Sequence, residues 1–198
     1  MNETLNYYNN HAEVFAGNTI NVDFTEIQDK FLGYLPANAK ILDFGCGSGR
    51  DAAYFHRKGF AVDAVDGSAE LCRLASAHSG ITVRQMLFSE LAAVEEYDGI
   101  WACSSILHLP QPELKEIMLR MLRALRKNGL IYTSFKYGEF EGIRGGRYFT
   151  DFTKESFECF LADIDGVRVN EYWISGDVRP GRGDEKWLNL ILQKVDIR

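Results

Sequence analysis

The chain is poor in the features that mark several large protein classes. It has only four cysteines in 198 residues, at positions 46, 72, 103 and 159, and no two share a paired spacing. That argues against a zinc site or a disulfide framework and fits a reducing compartment. Four prolines and the lack of any low-complexity tract or repeat leave no sign of a linker, so one domain over 1–198 is expected. The apolar runs fall far short of the roughly 20 residues of a membrane span. The opening MNETLNYYNNHAEVF has neither a basic n-region nor an apolar h-region, and a cytoplasmic location is expected. Positive charge is also scarce. Lys and Arg number 22 against 28 Asp and Glu, a net −6 with no basic run. A nucleic-acid binder normally shows a basic footprint, so neither nucleic acid nor membrane is an expected partner. The 46% hydrophobic and 25% charged residues are ordinary for a globular domain with a sizeable core.

The most informative stretch is Lys40-Ile41-Leu42-Asp43-Phe44-Gly45-Cys46-Gly47-Ser48-Gly49-Arg50. An apolar run ending in three alternating glycines reads as a buried strand, a tight turn and a helix start. Glycine accepts positive φ and has no Cβ, so a ligand can lie against its backbone. The following helix aims free N–H groups at that ligand. A dinucleotide fingerprint needs a third glycine at position 50, where this chain has Arg50.

Periodicity organises the remainder. Residues 1–35 read as two helical segments, the second carrying Phe24, Ile27, Phe31, Leu32 and Leu35 and stopped by Pro36. Strands are expected at 40–45, 60–66, 81–85, 98–103, 130–135, 167–174 and 187–194. Helices are expected at 51–58, 68–78 with Ser68 as cap, 112–127 closed by Gly129, and 154–163 capped by Thr153. Residues 138–146 read as a Gly-rich loop. Alternation of strand and helix from 40 to 136 implies a parallel sheet covered on both faces. Ligands then bind beyond the carboxyl ends of the strands.

Asp43, two residues before G-x-G-x-G, makes this stretch resemble the first motif of class I S-adenosylmethionine (SAM)-dependent methyltransferases, of the small-molecule type. The segment from Tyr97-Asp98-Gly99-Ile100 through Ile106-Leu107-His108 resembles the corresponding part of those enzymes. GCGSGRDAAYF followed by GF-x-VDAVD is also similar to the small tellurite-resistance methyltransferases. The resemblance implies a seven-stranded, mostly parallel, doubly wound Rossmann-like α/β sheet with an antiparallel final hairpin and N-terminal helices. Residues 1–35 would be a helical lid, 36–136 the cofactor-binding core, and 137–198 the substrate-side loops and closing hairpin.

It also implies roles. Gly45, Cys46, Gly47 and Gly49 would lie along the methionine part of SAM, with Asp43 facing its ammonium directly or through water. Asp66, at the end of the second strand and beside Gly67, would accept the ribose hydroxyls. Asp63 competes for that role but falls mid-strand. Leu87 stands where the family places an acid, and with Phe88 it would frame the adenine. Cys103 and Ser104 would pass the methyl group, and Tyr8 would close over the cofactor. Tyr7, His11, Arg144, Arg147, Tyr148 and Arg179 are candidate acceptor contacts. Arginines on two late loops could clamp an anion or simply pair with Asp151, Asp177 or Asp184. His108 is the candidate base, with a packing role in the Pro110-Gln111-Pro112 turn as the alternative. No metal site is visible. The implied reaction is in-line methyl transfer from SAM to a small polar or anionic acceptor, giving S-adenosylhomocysteine (SAH), by a monomer or homodimer. A SAM-binding protein without turnover and an NAD(P)-dependent Rossmann enzyme are the alternatives.

Overall fold

Ile41, Leu42, Asp43 and Phe44 are all buried in strand β1 (Lys40–Phe44). Burial of successive residues means both faces of the strand are covered, as in a parallel sheet. The structure, a computed structural model, describes residues 3–179 and 181–196. Three helices come first, α1 (Glu3–Asn10), α2 (Ala12–Thr19) and α3 (Thr25–Leu32). After β1 the chain alternates through α4 (Arg50–Arg57), β2 (Ala61–Asp66), α5 (Ala69–Ser79), β3 (Val83–Gln85), β4 (Tyr97–Ala102), α6 (Gln111–Ala124) and β5 (Leu125–Lys136). A small hairpin, β6 (Glu141–Arg144) and β7 (Arg147–Thr150), precedes α7 (Lys154–Leu161), β8 (Val167–Gly176) and β9 (Lys186–Lys194).

Seven strands form one sheet in the order β3-β2-β1-β4-β5-β9-β8. The five strands from β3 to β5 run parallel, and β9 is antiparallel to both β5 and β8. The strand order reverses between β1 and β4, where an open α/β sheet leaves a ligand crevice at the carboxyl ends. On one face Leu114, Ile117, Met118 and Met121 of α6 join Phe157 of α7 in the core. On the other, Phe31 of α3 and Phe55 of α4 pack on Ile41, Trp101 and Tyr132, with Trp101 and Tyr132 stacked 4.0 Å apart.

Three expectations change. The N-terminal region holds three helices rather than two, because the chain breaks at His11, which leaves the helical region at φ −123° and ψ 19°. Helix α6 ends at Ala124, not near 127. Leu125 already pairs with Tyr97; residues 126–129 then bulge out, with Asn128 at φ 62°, before Leu130 pairs with Gly99. Segment 138–146 is half of a β-hairpin. Gly145 and Gly146, at φ 58° and 76°, supply the two positive-φ positions that a tight two-residue turn requires.

Candidate active site

The glycine loop joins β1 to α4, and each glycine meets something different. A Cβ on Gly45 would lie 2.5 Å from the Ser105 Cβ, so β1 and the segment after β4 approach only because it is absent. At Gly47, φ 55°, a Cβ would press on the Phe15 ring of α2 at 3.1 Å. Gly49 departs from the expected role. It does not line the cavity above the loop; its missing Cβ lets Ala75 of α5 come within 2.9 Å. Gly49 therefore serves helix packing rather than ligand approach.

Beyond the strand ends lies a cavity of about 1490 Å³, walled by the loop, the N-terminal helices and the late loops. Pockets for a single drug-sized ligand run to roughly 300–1,000 Å³, so there is room here for a cofactor and a second molecule. Gly45, Cys46, Gly47, Asp66, Gly67, Leu87, Phe88, Cys103 and Ser104 all line it. Asp66 accepts the Gly47 N–H and the Ser68 N–H, each at 2.9 Å. Burial raises its pKa, and those amide bonds pull it back. Asp43 sits behind the loop instead of on the cavity wall. Burial and the Asp51 charge push its carboxyl well up, and its Oδ2 has no hydrogen-bond partner among the described residues. Phe88 sets its edge on Phe44 at 4.8 Å, while Leu87 stays exposed beside it. Asp63 bonds Tyr97 and Lys40 mid-sheet, which leaves the strand end to Asp66. Burial and the Asp51 charge push the Cys103 thiol up to about 12, so it is protonated. Ser104 has a strained φ of 50° and is held by its N–H bond to the Ser134 hydroxyl at 2.9 Å.

His108 lies in the 3₁₀ turn after β4 and is buried. Its Nδ1 is 2.6 Å from the Tyr148 carbonyl and its Nε2 is 2.8 Å from the Tyr8 hydroxyl. A carbonyl only accepts, so Nδ1 carries the proton and Nε2 accepts the Tyr8 O–H. Burial lowers the imidazole to about 4, with the Arg147 charge adding to it, so the ring is neutral. Tyr8 thus covers the basic nitrogen of this candidate base.

Residues 41–129 match the sequence family described as a methyltransferase domain. The ubiquinone biosynthesis O-methyltransferase of Xanthomonas axonopodis pv. citri (strain 306) is 33% identical over 101 residues, 48% of this chain and 41% of that protein. The chain spans less than half the length of the curated relatives it matches. The Burkholderia thailandensis 1,6-didemethyltoxoflavin-N1-methyltransferase, crystallised with 1,6-didemethyltoxoflavin and SAH, superposes with a TM-score of 0.73 at 24% identity, covering 97% of this chain and 85% of that one. The N-methyltransferase NodS of Bradyrhizobium japonicum, crystallised with SAH, gives 0.71 at 15% identity over 95% and 98% of the two chains. Residues 41–129 are thus similar to methyltransferase domains, and the chain shares the fold of these two SAH-bound enzymes. The fold likeness to the two solved structures extends past the matched segment, over β8 and β9.

Several contacts around the cavity carry no sequence signal. Asp51, at the start of α4, accepts bonds from Arg50, from Trp101 Nε1 at 2.8 Å and from Gln28 at 2.7 Å. Burial raises its pKa, but these donors outweigh it and hold the carboxyl below its usual range. Lys136, at the end of β5, faces the cavity, and burial brings its ammonium down to about 8.

The acceptor candidates divide. Arg144 forks onto Asp151 at 2.9 and 3.0 Å, and Arg179 Nε bonds Asp177 at 2.9 Å, so both guanidiniums are paired although they line the cavity. Tyr7, His11 and Tyr148 do not line it. Tyr7 lies under Arg147 at 4.6 Å, His11 stacks on Tyr7 at 4.4 Å, and the Tyr148 hydroxyl bonds Glu141 at 2.9 Å. Arg147 and Tyr8 do face the cavity. Among the described residues no group of His, Cys, Asp and Glu is placed to hold a metal, and no helix is long and apolar enough to cross a membrane.

Proposed function

We propose that the protein is a SAM-dependent methyltransferase whose methyl acceptor is a small polar or anionic molecule. The reading rests on one observation above the rest: a single cavity is lined by Gly45, Gly47 and Asp66 together with Tyr8, His108 and Arg147. Two features favour SAM on the loop side. Gly47 leaves a cradle that a side chain would fill, and the unpartnered Asp43 oxygen behind the loop suits an ammonium reached through water. Asp66 would take the ribose hydroxyls, Leu87 and Phe88 the adenine, and Cys103 and Ser104 the strip beside the methyl.

When bound, SAM supplies a methyl on a sulfonium, which an acceptor lone pair displaces in line. The protein's part is to hold the two in line and exclude water. Helices α1 and α2 act as the lid, with the Tyr8 and Phe15 faces suited to a sulfonium cation. The net charge of −6 and the absence of a basic run favour a compact acceptor over a polyanion. We read the whole chain as one cytoplasmic domain, a monomer or homodimer.

Calorimetry with SAM, SAH and NAD tests the cofactor, and SAH release in an acceptor screen tests turnover. Binding of NAD in preference to SAH overturns the reading. SAM binding with no turnover of any acceptor leaves a binding protein instead.

A further inference from the structure

The arginines around the cavity are not equivalent. Arg50 pairs with Asp51, Arg144 with Asp151, Arg179 with Asp177, and Arg182 lies 3.8 Å from Glu185. Arg147 has no carboxylate within ion-pair reach among the described residues, and its buried Nε has no hydrogen-bond partner. Its guanidinium is held in place by ring faces, Tyr7 at 4.6 Å and Phe149 at 5.1 Å. A guanidinium positioned by ring faces on a cavity wall, with no carboxylate of its own, is complementary to a carboxylate.

Tyr8 stands beside it, and Arg147 Nη1 donates to the Tyr8 oxygen at 3.4 Å. Its one proton is committed to His108 Nε2, because the Tyr148 carbonyl fixes the imidazole tautomer. The Tyr8 oxygen can therefore only accept from a ligand. Donors and an acceptor thus sit side by side in the cavity wall.

We propose that Arg147 and Tyr8 form a two-point subsite for a methyl acceptor whose reacting O–H or N–H lies next to a carboxylate, with His108 as the positioning residue behind Tyr8. This rests on the methyltransferase reading and narrows its acceptor class. The carboxylate takes the Arg147 fork, and the O–H or N–H donates to Tyr8. As the methyl–sulfur bond breaks with its pair going to sulfur, the acceptor lone pair forms the new bond to carbon. The acceptor proton passes to the Tyr8 oxygen, and the Tyr8 proton moves to His108 Nε2. The carboxylate on Arg147 offsets the imidazolium charge, and that proton then leaves to water.

Calorimetry on the SAH-loaded protein tests this with anthranilate, benzoate and aniline as probes. Anthranilate keeps one N–H free of its own carboxylate. It is expected to bind at least about fivefold tighter than benzoate or aniline, the worth of one added hydrogen bond. Arg147→Gln should weaken anthranilate and benzoate together by about tenfold, the scale of a charged hydrogen bond, and leave aniline unchanged. Tyr8→Phe should bring anthranilate down to the level of benzoate without moving benzoate. His108→Phe should also level the two, because Tyr8 then regains a free proton, a split that loosened packing would not produce. Thermal melts that match the parent show that each variant is folded. Equal binding of anthranilate and benzoate to the unsubstituted protein overturns the proposal, as does Arg147→Gln that leaves both carboxylates unaffected. Failure of SAH itself to bind overturns the methyltransferase reading instead.

Discussion

The Gly47 N–H donates to Asp66 Oδ2 at 2.9 Å, so the tip of the glycine loop and the end of β2 hold one another. The other Asp66 oxygen takes the Ser68 N–H at the start of α5. One carboxylate thus ties together the ends of two strands and a helix while its remaining lone pairs face the cavity.

Asp66→Ala is expected to weaken SAH binding at least about tenfold, since a hydrogen bond to a charged group is worth about 1.5–3 kcal/mol. Calorimetry gives the answer. Unchanged affinity would reject Asp66 as the ribose ligand.

Gly47→Val and Gly49→Val should fail differently. At Gly47 the new side chain fills cavity space and pushes on Phe15, so SAH binding is lost while the sheet stays intact. At Gly49 it meets the backbone and Cβ of Ala75. Left-handed φ alone costs a branched residue about 1–2 kcal/mol. At about 2–4 °C per kcal/mol for a chain of this size, Gly49→Val should lower Tm by several degrees without SAH, and more than Gly47→Val does. Thermal scans with and without SAH separate the two.

Asp51→Asn should be among the more destabilising polar substitutions. It leaves Arg50 buried without its counter-charge, a change worth about 3–5 kcal/mol. It also weakens the bond to Trp101 Nε1. Denaturant melts followed by tryptophan emission would register both effects, and a loss below about 1 kcal/mol would contradict this account of the site.

His108 makes stability depend on pH. An unfolded imidazole titrates near 6.5 and the folded one at about 4, so the folded chain binds fewer protons between those values. The contribution is complete above pH 6.5 and is lost as pH falls toward 4, by about 3 kcal/mol in all. Asp43 and Asp66, whose pKa values are raised, act in the opposite sense, so the test is a difference. The gap in unfolding free energy between the parent and His108→Gln should shrink from pH 7 to pH 4.5. A constant gap would show that His108 is not held neutral.

Much of this was legible in the sequence where local chemistry dictates structure. The buried run through Phe44, the three glycines, the Ser68 and Thr153 caps and the apolar stripe of α6 each have a short-range cause. The hairpin of β6 and β7 escaped because its glycines look like loop punctuation when the partner strand is unknown. The end of α6 escaped because Leu125 continues the helical stripe yet is captured by Tyr97 in the neighbouring strand. The arginines show the deeper limit. Arg144 and Arg147 are three residues apart on one turn, but on the paired strands one reaches Asp151 and the other the Tyr7 and Tyr8 rings. Charge pairing across a fold is a tertiary fact that spacing does not carry.

Three contacts stitch α1 to the hairpin: the Tyr148 N–H to the Thr4 hydroxyl at 3.0 Å, Arg147 over Tyr7, and Tyr8 to His108, whose other nitrogen meets the Tyr148 carbonyl. Residues from opposite ends of the chain thereby make one roof. It cannot rise at α1 without breaking its hold on β7. Any displacement of α1 therefore disturbs the strand that closes the far side of the hairpin as well.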